Sequence, residues 1–210
     1  MPRRISTARA ILPTTREPRA FLYVEGPRDR EIIEGWALRT SRRLAECVRG
    51  STVILGGRQP ARACEHFSDA RAENANARGL CVLDRDQELA PPAAGPDGLE
   101  LFVWSRRHIE SYLLVPAALA RVLRGLDPRT LRTLAAELPA AGDERAWREL
   151  DAKRRLALNG QRTPWGRLAR AMRDDELHSD VHALLGRLAT VFGVPLAPLV
   201  IQHPPGTPPG

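Results

Sequence analysis

The sequence predicts an α/β protein: a parallel β-sheet flanked by helices, followed by a C-terminal helical segment. Four short apolar runs of strand length occur between residues 20 and 104. Segments with helical spacing separate the first three of these runs. After Pro116 the strand signal stops, and only helix-like segments follow. Strands that alternate with helices are typical of a parallel, doubly wound sheet.

The four predicted strands are apolar runs of the kind found in strands that are covered on both faces. They are Phe21–Val24, Thr52–Leu55, Gly79–Leu83 and Leu99–Trp104. Apolar residues at helical spacing predict one helix from about Ile32 to Gly50 and another around Phe67. The proline- and glycine-rich stretch from Glu88 to Gly98 predicts a loop.

The chain divides into four predicted parts. Residues 1–19 form a flexible basic arm, 20–116 the α/β domain, 117–200 a helical C-terminal region, and 201–210 a disordered or extended Pro/Gly tail. The basic arm either follows a phosphate backbone or is simply solvated. Five helices are predicted in the helical region, several of them with Asp or Pro in the first turn. They are Ala117–Gly125, Pro128–Leu138, Asp143–Leu158, Pro164–Arg173 and Glu176–Phe192.

The charge of the chain is strongly basic. Its 210 residues carry a formal net charge of +7, and Lys153 is the sole lysine among 32 basic residues. Arginine has a planar fork of donors that binds phosphate in a bidentate manner, so the composition is compatible with a nucleic-acid partner. Arginine richness can also reflect genome composition.

Three sequence features argue against a membrane or secreted protein. No apolar run approaches the ~20 residues needed to cross a bilayer. The basic start of the chain leads into ILPTTREPRA rather than into an apolar signal core. The three cysteines form no CxxC pair and are typical of buried thiols in a reducing compartment. We therefore expect a cytoplasmic protein without a membrane partner.

Acidic residues follow two of the predicted strands. Glu25 comes directly after the first strand, and Asp84 and Asp86 come directly after the third. Ligands of parallel sheets bind beyond the carboxyl ends of the strands, so these acids converge if the two strands are neighbours. Asp84 and Asp86 project to the same side of an extended backbone, while Arg85 points away.

Carboxylates crowded at one edge repel each other unless a cation compensates their charge. Mg²⁺ is such a cation, because it is held by one or two carboxylates, waters and substrate phosphate oxygens. It would polarise a phosphodiester and lower the pKa of a bound water. Each motif alone also has a simpler interpretation: aspartates at strand ends form turns, and Asp29 can cap the helix that follows.

Three segments carry a resemblance to a known family. FLYVEGPRDREII, followed about fifty residues later by GLCVLDRDQE, resembles a TOPRIM domain, the metal-binding fold shared by topoisomerases, bacterial primases and OLD-type nucleases. The next segment, LFVWSRRHIESYLLVP, is similar to a stretch found in OLD-like (overcoming lysogenisation defect) TOPRIM proteins. The resemblance spans about residues 20–116. It implies a TOPRIM-like domain of the OLD-like type, without the ATPase domain.

The resemblance implies roles for the acids. Glu25 corresponds to the TOPRIM glutamate, a metal ligand and candidate general acid/base, and Asp84 and Asp86 correspond to the DxD metal ligands. These three are the predicted catalytic residues. Asp29 and Glu110 are further candidates for a second metal, and the cofactor is one or two ions of Mg²⁺ or Mn²⁺. An alternative for Glu110 is an exposed helix residue.

Nearby basic residues are predicted to contact nucleic acid. They are Arg28, Arg85, Arg106, Arg107 and His108. Arginine side chains would bind backbone phosphates, and the histidine would contact a phosphate or be merely solvated.

The chain departs from the OLD pattern at two points. It has no GxxxxGK[ST] motif, so any ATPase must be a separate protein. OLD-like nucleases also use a basic residue downstream of the acids, and the sequence does not place Lys153, which lies in the charged helical run DAKRR, at the site.

Two functions remain open. The first is a Mg²⁺-dependent nuclease of a defence or repair system, with DNA favoured over RNA as substrate and a separate ATPase as partner. The second is a non-catalytic TOPRIM-like module that binds nucleic acid or a partner ATPase. A phosphotransferase with DxD on its first strand fits poorly, because here the DxD follows the third strand.

Overall fold

The computed structural model describes residues 19–85, 94–123, 127–140, 142–156 and 164–196. Within these residues the chain forms a four-stranded parallel sheet with strand order β2-β1-β3-β4. The strands are β1 (Ala20–Val24), β2 (Thr52–Ile54), β3 (Arg78–Leu83) and β4 (Leu99–Val103). The predicted fold class is confirmed. The basic arm up to residue 18, the tail 201–210 and residues 86–93, which include the first part of the predicted loop, lie outside the described residues.

The described residues of the first half of the chain form three helices between the strands. They are α1 (Pro27–Thr40), α2 (Arg42–Ser51) and α3 (Pro60–Glu73). The single helix predicted up to Gly50 is therefore two helices that meet at Ser41. This residue has an extended backbone (φ −155°, ψ 125°), and its Oγ accepts a hydrogen bond from the Leu44 N–H at 3.3 Å. Serine caps helices well, so the break costs little although the apolar spacing continues across it.

The second half is helical, as predicted, with shorter elements. Six α-helices are described: α4 (Pro116–Val122), α5 (Pro128–Glu137), α6 (Glu144–Glu149), α7 (Ala152–Leu156), α8 (Trp165–Ala171) and α9 (Ser179–Phe192). Two 3₁₀ helices, Ile109–Leu113 and Asp174–Glu176, accompany them. The helix predicted from Asp143 to Leu158 is interrupted after α6, because Leu150 has an extended backbone (φ −68°, ψ 123°).

The sheet is covered on both faces, because alternate residues of each strand point to opposite sides. Leu22 and Val24 of β1 belong to a large core that includes buried residues of α1, α2 and α9. Phe21 and Tyr23 belong to a smaller core with α3, where Phe67 is fully buried. The continuous apolar runs in the sequence are thus explained by burial on two sides.

Helix α8 holds the C-terminal region against α1 through a glycine contact. A Cβ atom added at Gly35 would lie 2.4 Å from the backbone oxygen of Gly166. The two helix backbones therefore touch, which only glycine permits at this position. None of the helices in the described part of the chain has the length and apolar character needed to cross a membrane.

Candidate active site

The strand order places a crevice between β1 and β3. The chain passes from β1 to β2 on one side, and β3 then pairs with the other side of β1. In parallel sheets this reversal opens a ligand-binding crevice outside the carboxyl ends of the two central strands. Glu25 follows β1 and Asp84 follows β3, so both lie at this crevice.

Glu25 is held on two sides. Its Oε1 accepts a hydrogen bond from the Asp84 backbone N–H at 2.8 Å. Its backbone oxygen accepts from the N–H groups of Gly56 (3.0 Å) and Gly57 (2.9 Å), in the loop that follows β2. Gly56 and Gly57 have φ values of 81° and 125°, which favour glycine. The loop after β2 is thereby tied to the ends of β1 and β3.

Asp84 is the buried centre of the site. Its Oδ1 accepts a hydrogen bond from the Ile109 N–H at 2.9 Å, and its Oδ2 lies 3.4 Å from the Lys153 Nζ. Its backbone oxygen accepts from the Arg58 Nη1 at 3.1 Å. Asp84 therefore joins the end of β3 to the loop after β2, to the 3₁₀ helix Ile109–Leu113 and to α7.

Asp29 lies in the first turn of α1. Its Oδ2 accepts a hydrogen bond from the Gly26 N–H at 2.8 Å, so the capping role considered for this residue is present in the structure. Burial raises the pKa of Asp29 above its ordinary value, the Gly26 hydrogen bond opposes this, and the charge of Glu110 adds to it. The carboxylate thus caps a helix and also faces the other acids.

Glu110 is fully buried, so the alternative of an exposed helix residue is wrong. It lies in the 3₁₀ helix Ile109–Leu113, and its Oε1 accepts a hydrogen bond from the Arg28 Nη1 at 2.9 Å. Its Oε2 has no hydrogen-bond partner among the described residues, and the Lys153 Nζ lies 4.0 Å from it. A buried carboxylate oxygen without a hydrogen bond is costly, and it marks a place where a cation would be favoured.

Lys153 is a residue of the candidate site that could not be placed there from the sequence. It lies on α7, far along the chain from the other site residues, with its Nζ between the carboxylates of Asp84 and Glu110. Burial opposes its charge, but the carboxylates of Glu110 and Asp84 together raise the pKa of the amine above its ordinary value. Its one signal in the sequence is that it is the sole lysine in a chain that otherwise uses arginine.

The acids of the site are strongly coupled. The pKa of Asp84 is raised to about 7, first by burial and then by the negative charge of Asp29, with a smaller contribution from Glu110. The ammonium of Lys153 and the Ile109 N–H oppose this shift without cancelling it. Burial and the neighbouring acids therefore both disfavour the charged form of Asp84, and a bound cation would oppose both effects.

Five residues are predicted to contact nucleic acid, and four of them have surroundings that differ from one to the next. Arg28 is exposed and stacks on Trp165, with 4.7 Å between its Cζ and the ring centroid, while it also pairs with Glu110. Arg85 directly follows Asp84 and is half-buried. The Arg107 Nε and the His108 Nδ1 are buried and have no hydrogen-bond partner among the described residues. Burial, with the charge of Lys153, lowers the pKa of His108.

Arg106, the fifth, is engaged inside the protein. It is 9% exposed, pairs with Glu144 at 3.2 Å, and stacks on Trp147 with 4.0 Å between its Cζ and the ring centroid. Its guanidinium is committed to these contacts, so we do not assign a phosphate to it.

The described acids do not form a complete metal site by themselves. Among residues 19–85, 94–123, 127–140, 142–156 and 164–196, no group of three or more His, Cys, Asp or Glu side chains is arranged so that it could hold a metal ion. The predicted ligand Asp86 lies outside the described residues. The structure places Glu25 beside the Asp84 backbone and Lys153 beside the carboxylates of Asp84 and Glu110, without arranging three of the described acids around one point.

Comparison with known proteins gives a fold-level likeness. No protein-family model matches the chain, and no curated protein is significantly similar in sequence. Two structures of the C-terminal region of the OLD protein from Xanthomonas campestris pv. campestris, phased with iodine and with platinum, are similar in fold. Both are 15% identical to this chain. The first covers 85% of this chain and 97% of its own, with a TM-score of 0.48; the second covers 84% and 95%, with 0.47. A likeness of this degree carries no conclusion about activity.

Proposed function

We propose that this protein is a Mg²⁺- or Mn²⁺-dependent nuclease that hydrolyses phosphodiester bonds of nucleic acid. The observation that carries the proposal is the convergence of four carboxylates and one lysine at the crevice between β1 and β3. Glu25 and Asp29 come from the first strand–helix unit, Asp84 from the end of β3, Glu110 from the 3₁₀ helix and Lys153 from α7.

The chemistry of the donor set suits a hard divalent cation. Carboxylate oxygens are the ligands that Mg²⁺ prefers. The Oε2 of Glu110 is buried without a hydrogen bond, and the pKa of Asp84 is raised to about 7 by burial and neighbouring acids, so added positive charge would relieve both. We propose Glu25, Asp29, Asp84, Glu110 and Asp86 as its ligands, and the described acids would have to shift to gather around the ion, since no three of them are arranged to hold it as they stand. When bound, the ion supplies Lewis-acid activation of a phosphodiester and of a water molecule.

The protein's own groups supply the remaining chemistry. The Lys153 ammonium, held beside Asp84, is positioned to neutralise negative charge that develops on a phosphate in the transition state. Glu25 is the candidate general acid/base. The exposed guanidinium of Arg28, which is fixed by Glu110 and Trp165, would bind a neighbouring backbone phosphate and orient the strand.

The substrate and partner follow from composition and from the family resemblance. A net charge of +7 carried almost entirely by arginine supports a polyanionic substrate, and we propose DNA over RNA. The resemblance to OLD-like TOPRIM proteins, which join this unit to an ATPase domain, supports a separate ATPase as the partner.

One observation favours a second candidate, the non-catalytic module. Lys153 already provides a positive charge next to Asp84 and Glu110, and no complete group of metal-ligating side chains is present among the described residues. In this alternative the lysine is an internal counter-ion, and the fold binds nucleic acid or a partner without cutting.

Cleavage of supercoiled plasmid in the presence of Mg²⁺ or Mn²⁺ separates the two candidates. The parent protein is compared with Asp84→Asn, which keeps the size of the side chain but removes the charge at the centre of the site. The matched control is Asp69→Asn, the same substitution at an exposed position of α3.

We expect cleavage by the parent and by Asp69→Asn, and a loss of at least about 100-fold in Asp84→Asn. Equal cleavage by all three proteins would show that a contaminant is responsible. If none of them cleaves, while the parent retains nucleic-acid binding, the non-catalytic module is the correct function.

A further inference from the structure

A polar cluster links the C-terminal helices to the α/β unit at the side of the candidate site. We call Arg106, Tyr112, Glu144 and Trp147 the arginine joint. Arg106 follows β4, and its guanidinium makes two contacts with Glu144, Nη2 to Oε1 at 3.2 Å and Nε to Oε2 at 3.5 Å. It lies between two rings, with Cζ 4.0 Å from the Trp147 centroid and 5.2 Å from the Tyr112 centroid.

The two partners of Arg106 that come from the C-terminal helices, Glu144 and Trp147, both belong to α6. Glu144 is the first residue of this helix, and Trp147 lies one turn later and is 7% exposed. Only Leu150 and Asp151 separate α6 from α7, which carries Lys153. The orientation of α6 at the joint therefore sets where α7 begins.

The other side of the joint is held by hydrogen bonds. The Arg106 N–H donates to the Tyr112 hydroxyl at 3.1 Å, and that hydroxyl donates to the Asp180 carboxylate of α9. The Ser105 N–H donates to the same carboxylate at 3.1 Å. The segment after β4 is thus hydrogen-bonded to α9, so α6 docks against a segment that is fastened independently of α6.

We propose that Arg106 is a positioning residue for Lys153: by clamping α6 through Glu144 and Trp147, it holds α7 where the Lys153 ammonium reaches Asp84 and Glu110. This inference rests on the proposed function, because it concerns the rate of the proposed reaction. It assigns to Arg106 an internal role in place of contact with nucleic acid.

Two physical features make the clamp necessary. Helix α7 has five residues, and helices of this length have little intrinsic stability, so its place is set by packing. Its buried residues Ala152 and Leu156 contribute to that packing. A two-point arginine–carboxylate contact between aromatic rings restricts orientation more than apolar packing does.

The first experiment measures cleavage rates of Arg106→Met in two backgrounds, the parent and Lys153→Ala. In the parent background we expect a fall of about tenfold in kcat, since a misplacement of about 1 Å can cost up to about 100-fold. In the Lys153→Ala background we expect less than a twofold further fall, because the residue through which Arg106 acts is already missing.

The control is Arg145→Met, the same substitution at an arginine of α6 that directly follows Glu144 and whose side chain is 92% exposed. It should change kcat by less than twofold. An equal effect of Arg106→Met in both backgrounds would overturn the inference and show a general structural role. No effect on the parent rate would overturn it as well.

A second measurement does not depend on cleavage. Because Lys153 is the sole lysine, protein labelled with ¹⁵N-lysine contains one side-chain ammonium group for NMR. We expect one ammonium signal in the parent and in Arg145→Met, held by the ion pair with Asp84, and its loss or broadening in Arg106→Met. An unchanged signal in Arg106→Met would overturn the inference. If the parent protein shows no cleavage, the proposed function is contradicted but the role of Arg106 is not. The Lys153 ammonium signal then decides whether Arg106 positions the lysine.

Discussion

Replacing Asp84 by Asn should make the metal-free protein more stable at neutral pH. Asp84 is 6% exposed, and its pKa is raised from 3.8 to about 7, mainly by burial and then by Asp29. Between these two values the folded protein keeps a proton that the unfolded chain has lost, so the free energy of unfolding falls as the pH rises from about 4 to about 7. Asn has no ionisable group, so the free energy of unfolding of Asp84→Asn does not undergo this fall.

The size of the effect follows from the pKa shift. At about 1.4 kcal/mol per pKa unit, a shift from 3.8 to about 7 corresponds to roughly 4 kcal/mol at pH 8. Part of this gain is offset, because the Lys153 ammonium loses its partner at Asp84 and retains Glu110 at 4.0 Å. We therefore expect Asp84→Asn to gain on the order of 2 kcal/mol over the parent at pH 8. At pH 4 the two proteins should be nearly equal, because the parent carboxyl is then protonated.

Urea unfolding followed by circular dichroism, in EDTA at pH 4, 5.5, 7 and 8, measures this difference. Asp69→Asn, on the exposed side of α3, should show no pH-dependent difference from the parent. Addition of Mg²⁺ should stabilise the parent but not Asp84→Asn, since only the parent would bind the ion. If Asp84→Asn is less stable than the parent at pH 8, or if the difference does not change with pH, then Asp84 is not a desolvated, repelled carboxylate and the reasoning is refuted.

Two further predictions concern the lysine and the contact between helices. Lys153→Met should lower the free energy of unfolding of the metal-free protein at pH 8 by about 1 kcal/mol, because Asp84 loses its counter-charge. Mg²⁺ should then raise the melting temperature of Lys153→Met by more than it raises that of the parent. An equal response to Mg²⁺ would argue against the cation and the lysine sharing one role. Gly35→Ala should lower the free energy of unfolding in urea by about 1–3 kcal/mol, because the added Cβ would lie 2.4 Å from the Gly166 backbone oxygen. The control Gly50→Ala, at a helical position where an added Cβ has no atom within 4 Å, should raise the free energy of unfolding by about 0.5–1 kcal/mol. A Gly35→Ala variant as stable as the parent would show that α1 and α8 are not in backbone contact.

The helices show where local signals were sufficient and where they were not. Helix α3 could be predicted from the spacing around Phe67, because its apolar residues face one core and Pro60 begins it. The break at Ser41 could not, because the apolar spacing of α1 continues into α2 and the decision between a long helix and a capped break depends on what both helices pack against. The same reason applies to the interruption after α6.

The site residues divide in a similar way. The acids at strand ends could be recognised because a parallel sheet brings the carboxyl ends of its strands together, whatever the intervening loops do. The burial of Glu110 could not be recognised, since a 3₁₀ helix and an exposed α-helix have similar local sequences and only the contact with Arg28 and the surrounding core distinguishes them. Arg106 was predicted to contact phosphate because it is a basic residue near the acids. Its neighbours in the sequence do not show that Glu144 and Trp147 lie against it in the fold.

The sequence by itself determined the order of strands and helices and the presence of carboxylates after β1 and β3, because both depend on residues that are near one another in the chain. Only the tertiary structure decided which positive charge faces those carboxylates. Lys153 is 69 residues from Asp84, and its approach depends on how α7 packs against the 3₁₀ helix Ile109–Leu113. Such an approach is a property of packed surfaces rather than of any segment, and no periodicity or motif records it.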